Sequence, residues 1–196
     1  ICSDIGLPLF VKPANQGSSI GITKVDTIDN LPVAVDCALN YDEKILIEEF
    51  ILGRELEVSV LGNDQRVASV AGEIIIGKQH DYYSYRAKYI DINSVKQLIP
   101  APLSSEQHRL IKELACESCN VLEINGMARV DFFLKTTSGL DKSHQLLVNE
   151  VNTIPGFTDI SMYAKLWNAS GLPFKELLQR LINLAIQRYN SIKEFS

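Results

Sequence analysis

The chain has 196 residues, 46% of them hydrophobic and 22% charged, with a formal net charge of −5. Those proportions are ordinary for a globular protein and exclude a disordered tail, a collagen and a coiled coil. No stretch reaches the roughly 18 uninterrupted apolar residues of a membrane span, and the acidic balance argues against tracking nucleic-acid phosphates.

In chain order, the first residues show neither Met nor a charged signal-like segment, so the chain reads as cut from a longer one. Leu9-Phe10-Val11 predicts a strand, and Lys12 to Gly21 a loop of small residues. Leu31 to Leu39 predicts a short helix with Asp29-Asn30 as cap candidates. Ile45-Leu46-Ile47 starts a second strand. From Glu55 to Leu61 the pattern alternates, with Leu56, Val58 and Val60 on one face and Glu55, Glu57 and Ser59 on the other. Gly62-Asn63-Asp64 reads as a hairpin turn into a partner strand over Arg66 to Ile76. His80 to Asp91, with Tyr82, Tyr83, Tyr85 and Tyr89, reads as a long loop.

Pro100 and Pro102 punctuate the next turn. Ser104 and Gln107 have capping-box spacing, and Leu110, Ile111, Leu114 and Ala115 form a helix face. Ala128 to Lys135 and Leu146 to Asn152 predict two strands joined by a polar turn. Pro173 stands at an expected first helical position, before an apolar face of Phe174, Leu177, Leu178, Leu181, Ile182 and Ala185. The expected class is α+β with antiparallel sheets in two lobes, residues 1–79 and 80–196.

Cysteine usage is sparse. Cys116 and Cys119 form a C-x-x-C, but it lies in a helical pattern with no second pair, so reduced thiols are expected rather than redox or zinc chemistry. His80, His108 and His144 share no ligand spacing.

Four segments carry candidate chemistry. Lys12 leads into a loop holding Gly17, Ser18, Ser19 and Gly21, where glycine amides, hydroxyls and a lysine suit an anion. An ordinary hairpin loop would look similar. In Ile45 to Glu57, the acids Glu48 and Glu49 end an apolar strand, Phe50 and Ile51 could flank a purine edge, and Glu55 could take ribose hydroxyls; a solvated edge is the plain alternative. Arg129 and Asp131 share a face of one strand, and Glu150 and Asn152 a face of the next, so the four are expected together on one face of a hairpin, while Ala128, Val130, Phe132 and Leu134 form an apolar reverse face. Carboxylates gathered this way suit a hard cation with substrate phosphates, and Arg129 a transferring phosphoryl group. A surface salt-bridge cluster is the competing reading. Last, Asn152 to Thr158 runs into a glycine turn, where Gly156 could offer an N–H to an oxyanion, and Ser161 opens a helix.

The segments FVKPANQGSS (10–19), IEE with GRE (47–49, 53–55), ARVD (128–131) and NEVNTIPGFT (149–158) closely resemble the D-alanine–D-alanine ligases of the ATP-grasp superfamily. The resemblance implies two lobes with ATP bound between them, and ligation of two D-alanines through an acyl phosphate for peptidoglycan precursors. It implies that Lys12, Ser18, Ser19 and Lys88 meet the phosphates, and that Glu48, Glu49, Phe50 and Ile51 lie at the adenine edge. Glu55 matches the ribose carboxylate, Phe133 packs on adenine, and Asn149 lies beside the nucleotide. Asp131, Glu150 and Asn152 match ligands of two magnesium ions, with manganese as a substitute. Arg129 and Gly156 stabilise the tetrahedral intermediate, Tyr89 selects the second substrate, and Ser161 and Met162 bind its carboxylate. The same resemblance implies small-molecule partners only, no nucleic acid or membrane, a homodimer in the full-length enzyme, and the bacterial cytoplasm. An amino-terminal domain that holds the first D-alanine is expected to lie outside this sequence, so this chain alone is expected to be inactive. Another ATP-grasp carboxylate–amine ligase, or an ATP-binding fragment without turnover, is the alternative.

Overall fold

A computed structural model of the chain describes residues 2–77, 95–136, 144–158 and 161–193. The tyrosine-rich loop, with Lys88 and Tyr89, and the turn at 137–143 lie outside the described residues. The chain packs as two units, one from the described residues of Ile1–Leu52 and Ile76–Lys96, the other from those of Gly53–Ile75 and Gln97–Ser196.

The first unit begins with a one-turn helix, α1 (Cys2–Ile5), and holds a three-stranded antiparallel sheet in the order β2-β1-β3. These strands are β1 (Leu9–Pro13), β2 (Thr23–Val25) and β3 (Ile45–Glu49). Helix α2 (Leu31–Leu39) has the expected bounds; Asn30 is its N-cap but makes no side-chain cap bond. Leu9, Val11 and Val25 close a core with Ala34 and Ala38 of α2. Period-two alternation therefore leaves Phe10, Lys12 and Glu48 on the other face.

The second unit is built on the sheet order β6-β5-β4-β7-β8. Its strands are β4 (Gly53–Gly62), β5 (Val67–Ile76), β6 (Val95–Leu98), β7 (Gly126–Thr136) and β8 (His144–Asn152). Residues 53–75, expected in the first lobe, belong here instead. Their hairpin is as predicted, but β4 pairs along ten residues with β7, and that long-range ladder decides the membership.

Helix α3 (Ser105–Val121) starts at the predicted capping box: Gln107 N–H donates to Ser104 Oγ at 3.2 Å and Ser104 N–H to Gln107 Oε1 at 2.9 Å. Its Ile111, Ala115 and Cys119 pack under Leu56, Val58, Val60, Ala128, Val130, Phe132 and Leu134. The reverse face of β7 is thus the core expected from sequence. Leu110 lies on the rim of the helix stripe and is 40% exposed.

The opposite face carries α4 (Met162–Ala169) and α5 (Phe174–Lys193), where Leu61, Tyr163, Trp167, Leu172 and Leu177 form a further cluster. Ser59 Oγ donates to Tyr163 O at 3.1 Å, and Tyr163 Oη to Val60 O at 3.0 Å. Pro173 caps α5 one residue ahead of the expected place, accepting from Leu177 N–H at 2.9 Å. Of the predicted α5 face, Leu177 is buried with Leu181 and Leu184 beside it, whereas Phe174, Leu178 and Ile182 stay open to solvent. The helix meets the sheet along the i, i+4, i+7 line only.

Cys119 is fully buried in the core, and burial, then the neighbouring Cys116, pushes its thiol up to about 11. Burial also raises Cys116, whose Sγ donates to Arg66 O at 3.7 Å. Both are free thiols, the reading the helical context gave. At pH 8 only about one Cys119 in a thousand is thiolate, against roughly a quarter in an unfolded chain. Alkylation of native Cys119 by iodoacetamide is therefore expected to run at least about 100-fold slower than in urea. Peptide mass spectrometry over a labelling time course measures this.

Candidate functional site

In the first unit the face turned away from α2 carries the polar groups. Phe10 lies opposite Glu48 and Lys12 opposite Leu46, so Lys12 and Glu48 are diagonal neighbours. Lys12 Nζ meets Glu48 Oε2 at 2.6 Å. Sequence alone assigned them to different ends of a nucleotide; the register makes them partners. The Phe10 and Phe50 rings lie 5.8 Å apart, and Lys24 Nζ sits 5.0 Å from the Phe50 centroid. Lys24 was not legible from the sequence, since one lysine in a three-residue strand carries no pattern. Glu49 ends β3 exposed, Phe50 N–H donates to Pro8 O at 3.2 Å, and Ile51 is half-buried.

The loop after β1 holds Ser18 and Ser19 at φ 56° and 61°, in the left-handed region. Such residues cost of order 1–3 kcal/mol each and persist only where the surroundings hold them. The loop's start is held by Asp42, whose carboxylate accepts Asn15 N–H at 2.7 Å, the Asn15 amide at 2.8 Å and Lys44 N–H at 3.1 Å. The backbone amides of Lys44, then Asn15, keep that carboxyl below its ordinary 3.8. Its stabilising effect is therefore present above about pH 3.8 and is lost as pH falls through the lowered value.

In the second unit, two rows of polar side chains cross the sheet. Glu57 pairs with Asp131 and Asp131 with Glu150; one step along, Ser59 pairs with Arg129 and Arg129 with Asn152. Arg129 Nε and Nη2 donate to both Asp131 oxygens at 2.7 Å, and Nε lies 3.2 Å from Glu57 Oε2. Asn152 Nδ2 donates to Asp131 at 3.1 Å and Glu150 at 3.2 Å. Burial, then the charge of Glu57, pushes the Asp131 carboxyl well up, with Arg129 opposing. Burial works against the Arg129 charge, but Asp131, Glu57 and Glu150 outweigh it and hold the guanidinium protonated. Glu57 is buried, Arg129 and Asp131 are mostly buried, and Glu150 is exposed, so the cluster runs from the interior to the surface.

A β-bulge makes this alignment. Asp131 faces Glu150, yet Phe132 faces Val148, so Asn149 is the extra residue. Leu146 and Val151 both pack on the apolar core although their parity differs. Without the bulge Glu150 would share the face of Leu146. Further along, Glu55 pairs with Phe133, so the expected ribose carboxylate and adenine-packing residue are cross-strand neighbours.

After β8, the 152–161 segment turns into α4. Ser161 is the helix N-cap, but its Oγ serves Thr158, accepting Thr158 N–H at 3.1 Å and lying 2.7 Å from Thr158 Oγ1. A Cβ on Gly156 would come within 2.8 Å of Ser161 Oγ, so Ser161 would have to shift to admit one. Met162 is 2% exposed, which leaves its backbone N–H rather than its side chain to meet a ligand. Sequence reasoning missed Glu57, treating it as one residue of a polar strand face; an acid on a strand buried on both sides was the signal.

Among the described residues no group of three His, Cys, Asp or Glu side chains forms a metal site on its own. The fitting set is Asp131, Glu150 and the amide oxygen of Asn152. Hard divalent cations take such oxygens, and one would offset the burial, and then the charge of Glu57, that together raise the Asp131 carboxyl.

The antiparallel sheets, the helices on both faces of the larger one, and the basic–acidic site residues define an ATP-grasp protein. A family model, D-ala D-ala ligase C-terminus, matches residues 1–183, and the chain belongs to that family. It is 48% identical over 194 residues to a D-alanine–D-alanine ligase of Shouchella clausii, covering 99% of this chain and 50% of that protein. Ligase A of Escherichia coli K12 is 47% identical, over 95% of this chain and 49% of its own length. Among solved structures, the Coxiella burnetii D-alanine-D-alanine ligase gives a TM-score of 0.80 at 38% identity, covering 95% of this chain and 47% of that one. The VanG D-Ala:D-Ser ligase of Enterococcus faecalis gives 0.79 at 35%, covering 93% and 50%. The chain spans about half the length of the curated relatives it matches.

Deleting Asn149 tests the bulge. Glu150 would then follow Val148 directly in a regular ladder, so Glu150 stays opposite Asp131 and Asn152 opposite Arg129. The expected outcome is a folded chain whose Mg2+-dependent nucleotide binding in calorimetry stays within about tenfold of the unaltered chain; loss of that binding with the fold intact would show that the bulge itself shapes the site.

Proposed function

We propose that this chain is the nucleotide- and metal-binding part of a ligase that joins two D-alanines at the expense of ATP. The observation that carries the reading is the register that lines Asp131 and Glu150 up beside Arg129 and Asn152. Lys12, released from Glu48, holds phosphate oxygens, and Ser18 and Ser19 cover them. Lys88 joins them from the 78–94 segment. Glu48, Glu49, Phe50 and Ile51 meet the adenine edge, Glu55 takes the ribose hydroxyls, Phe133 packs on the base, and Asn149 lies beside the nucleotide.

Asp131, Glu150 and Asn152 would hold magnesium, or manganese in its place, which when bound neutralises phosphate charge. A D-alanine carboxylate oxygen attacks the γ-phosphorus and ADP leaves. The second amine, having lost a proton, attacks the resulting acyl carbon, and inorganic phosphate leaves. Arg129 and the Gly156 N–H stabilise the oxyanion of that tetrahedral intermediate. Ser161 and the Met162 N–H hold the second substrate's carboxylate, and Tyr89 favours an amine over a hydroxy acid. The setting is peptidoglycan precursor synthesis in the bacterial cytoplasm, with the full-length enzyme a homodimer and its partners small molecules. No helix among the described residues is long and apolar enough to cross a membrane.

Calorimetry with Mg2+ and ATP tests the reading on this chain. Binding that disappears without Mg2+ is expected; a folded sample that binds no ATP would refute it. Glu150→Gln should weaken Mg2+-dependent binding at least about tenfold while the melting temperature holds, because an exposed ion pair is worth only about 0–1 kcal/mol. In a complete ligase the same change should lower turnover by about 100-fold or more, on the order of 3 kcal/mol. Phosphate release with D-alanine, D-serine and D-lactate separates the second substrates, D-serine being the one named for VanG. Little or no dipeptide is expected from this chain by itself, and efficient synthesis would show that it holds the first-substrate site after all.

A further inference from the structure

The carboxylates of the polar row are not equivalent. Glu150 is exposed, whereas Glu57 is 7% exposed. The cause is local: Glu57 lies opposite Gly72, and the bare Gly72 backbone lets Met162 and Leu166 of α4 close over that part of the sheet, where a Cβ would collide with both. Glu57 is therefore shut in at the side of the row away from Glu150, with its Oε2 beside Arg129 Nε.

Arg129 at present spends the Nε–Nη2 edge of its guanidinium on Asp131. Its task in the reaction requires the two Nη groups to face reacting oxygens, while Asp131 is needed elsewhere. A guanidinium presents its donors in a fixed fork, so holding Nε alone leaves both Nη groups free and still fixes the plane.

We propose that Glu57 is the positioning residue for Arg129: its Oε2, 3.2 Å from Nε, takes over the Nε–H when Asp131 turns to a cation, so that both Nη groups can face the group in transfer. This deepens the functional reading above and rests on it. Glu57 contacts neither substrate nor metal, and its work is to orient the arginine.

The test is calorimetry of this chain with Mg2+-ADP, with and without aluminium fluoride as a mimic of the transferring phosphoryl group. In the wild type, fluoride is expected to tighten binding at least about tenfold, since a mimic of the transition state engages groups that the ground state does not. Glu57→Met keeps the length of the side chain without an accepting oxygen. It should lower Mg2+-ADP affinity no further than Glu57→Gln does, since both remove the same charge, and abolish most of the fluoride gain. Glu57→Gln retains an acceptor and should restore that gain.

If Glu57→Met keeps the full gain, or loses Mg2+-ADP affinity as severely, the positioning role is wrong. A wild type that binds Mg2+-ADP without any fluoride gain overturns it too. A folded wild type that binds no Mg2+-nucleotide refutes the functional reading itself and takes this proposal with it. Should Glu57→Met fail to fold by circular dichroism, Glu57→Leu makes the same comparison.

Discussion

Glu57, Asp131 and Glu150 stand abreast on one sheet face, with Arg129 one step along. Taking like charges out of water costs several kcal/mol per ion unless each finds compensation. The guanidinium supplies part of it, through two 2.7 Å bonds to Asp131 and proximity to Glu57. The remainder shows as an Asp131 carboxyl held well above its ordinary value by burial and by Glu57. A fold selected for stability alone would not keep this arrangement. In the proposed function, a cation bound with its phosphates would offset this negative charge.

Keeping such a row in place requires a stiff support. The reverse face is apolar from Leu56 to Val60 of β4 and from Ala128 to Leu134 of β7, and α3 seals it with Ile111, Ala115 and Cys119. On the site face, α4 covers the Ser59 and Gly72 end, bonded through Ser59 Oγ to Tyr163 O. Glu57, Arg129 and Asp131 thus rise from the central strands β4 and β7, and Glu150 and Asn152 from the edge strand β8, none of them from a loop, which limits their freedom to move. The β4–β5 ladder also shifts register between Val58 and Val60, where Ser59 N–H donates to Ser69 Oγ at 2.9 Å, so a side chain satisfies the amide there.

The first unit stores its functional tension differently. Lys12 is held by Glu48, and two consecutive serines sit in left-handed backbone. An anion at Lys12 would have to replace a carboxylate, an exchange of like for like that costs less than exposing a bare ammonium to a dry site. Asp42 ties down the beginning of the loop through Asn15, leaving Ser18 and Ser19 as the part with unusual backbone.

Much of this was legible in the chain because it is local. The i, i+2 spacing of Arg129 with Asp131 and of Glu150 with Asn152 fixes that each pair shares a face. Ser104 and Gln107 fix where α3 starts, and apolar periodicity gives α2 its bounds. Pairing between strands distant in sequence leaves no such trace. That the two polar pairs share one side was expected from their spacing, but the bulge at Asn149, which reverses the parity of β8, was not. That Glu57 belongs with them, that Lys12 and Glu48 are partners, and that residues 53–75 join the second sheet were likewise matters of register. Side-chain period and capping act over a few residues and are written in sequence; register is set by the summed packing of whole strands, and only the tertiary structure resolves it.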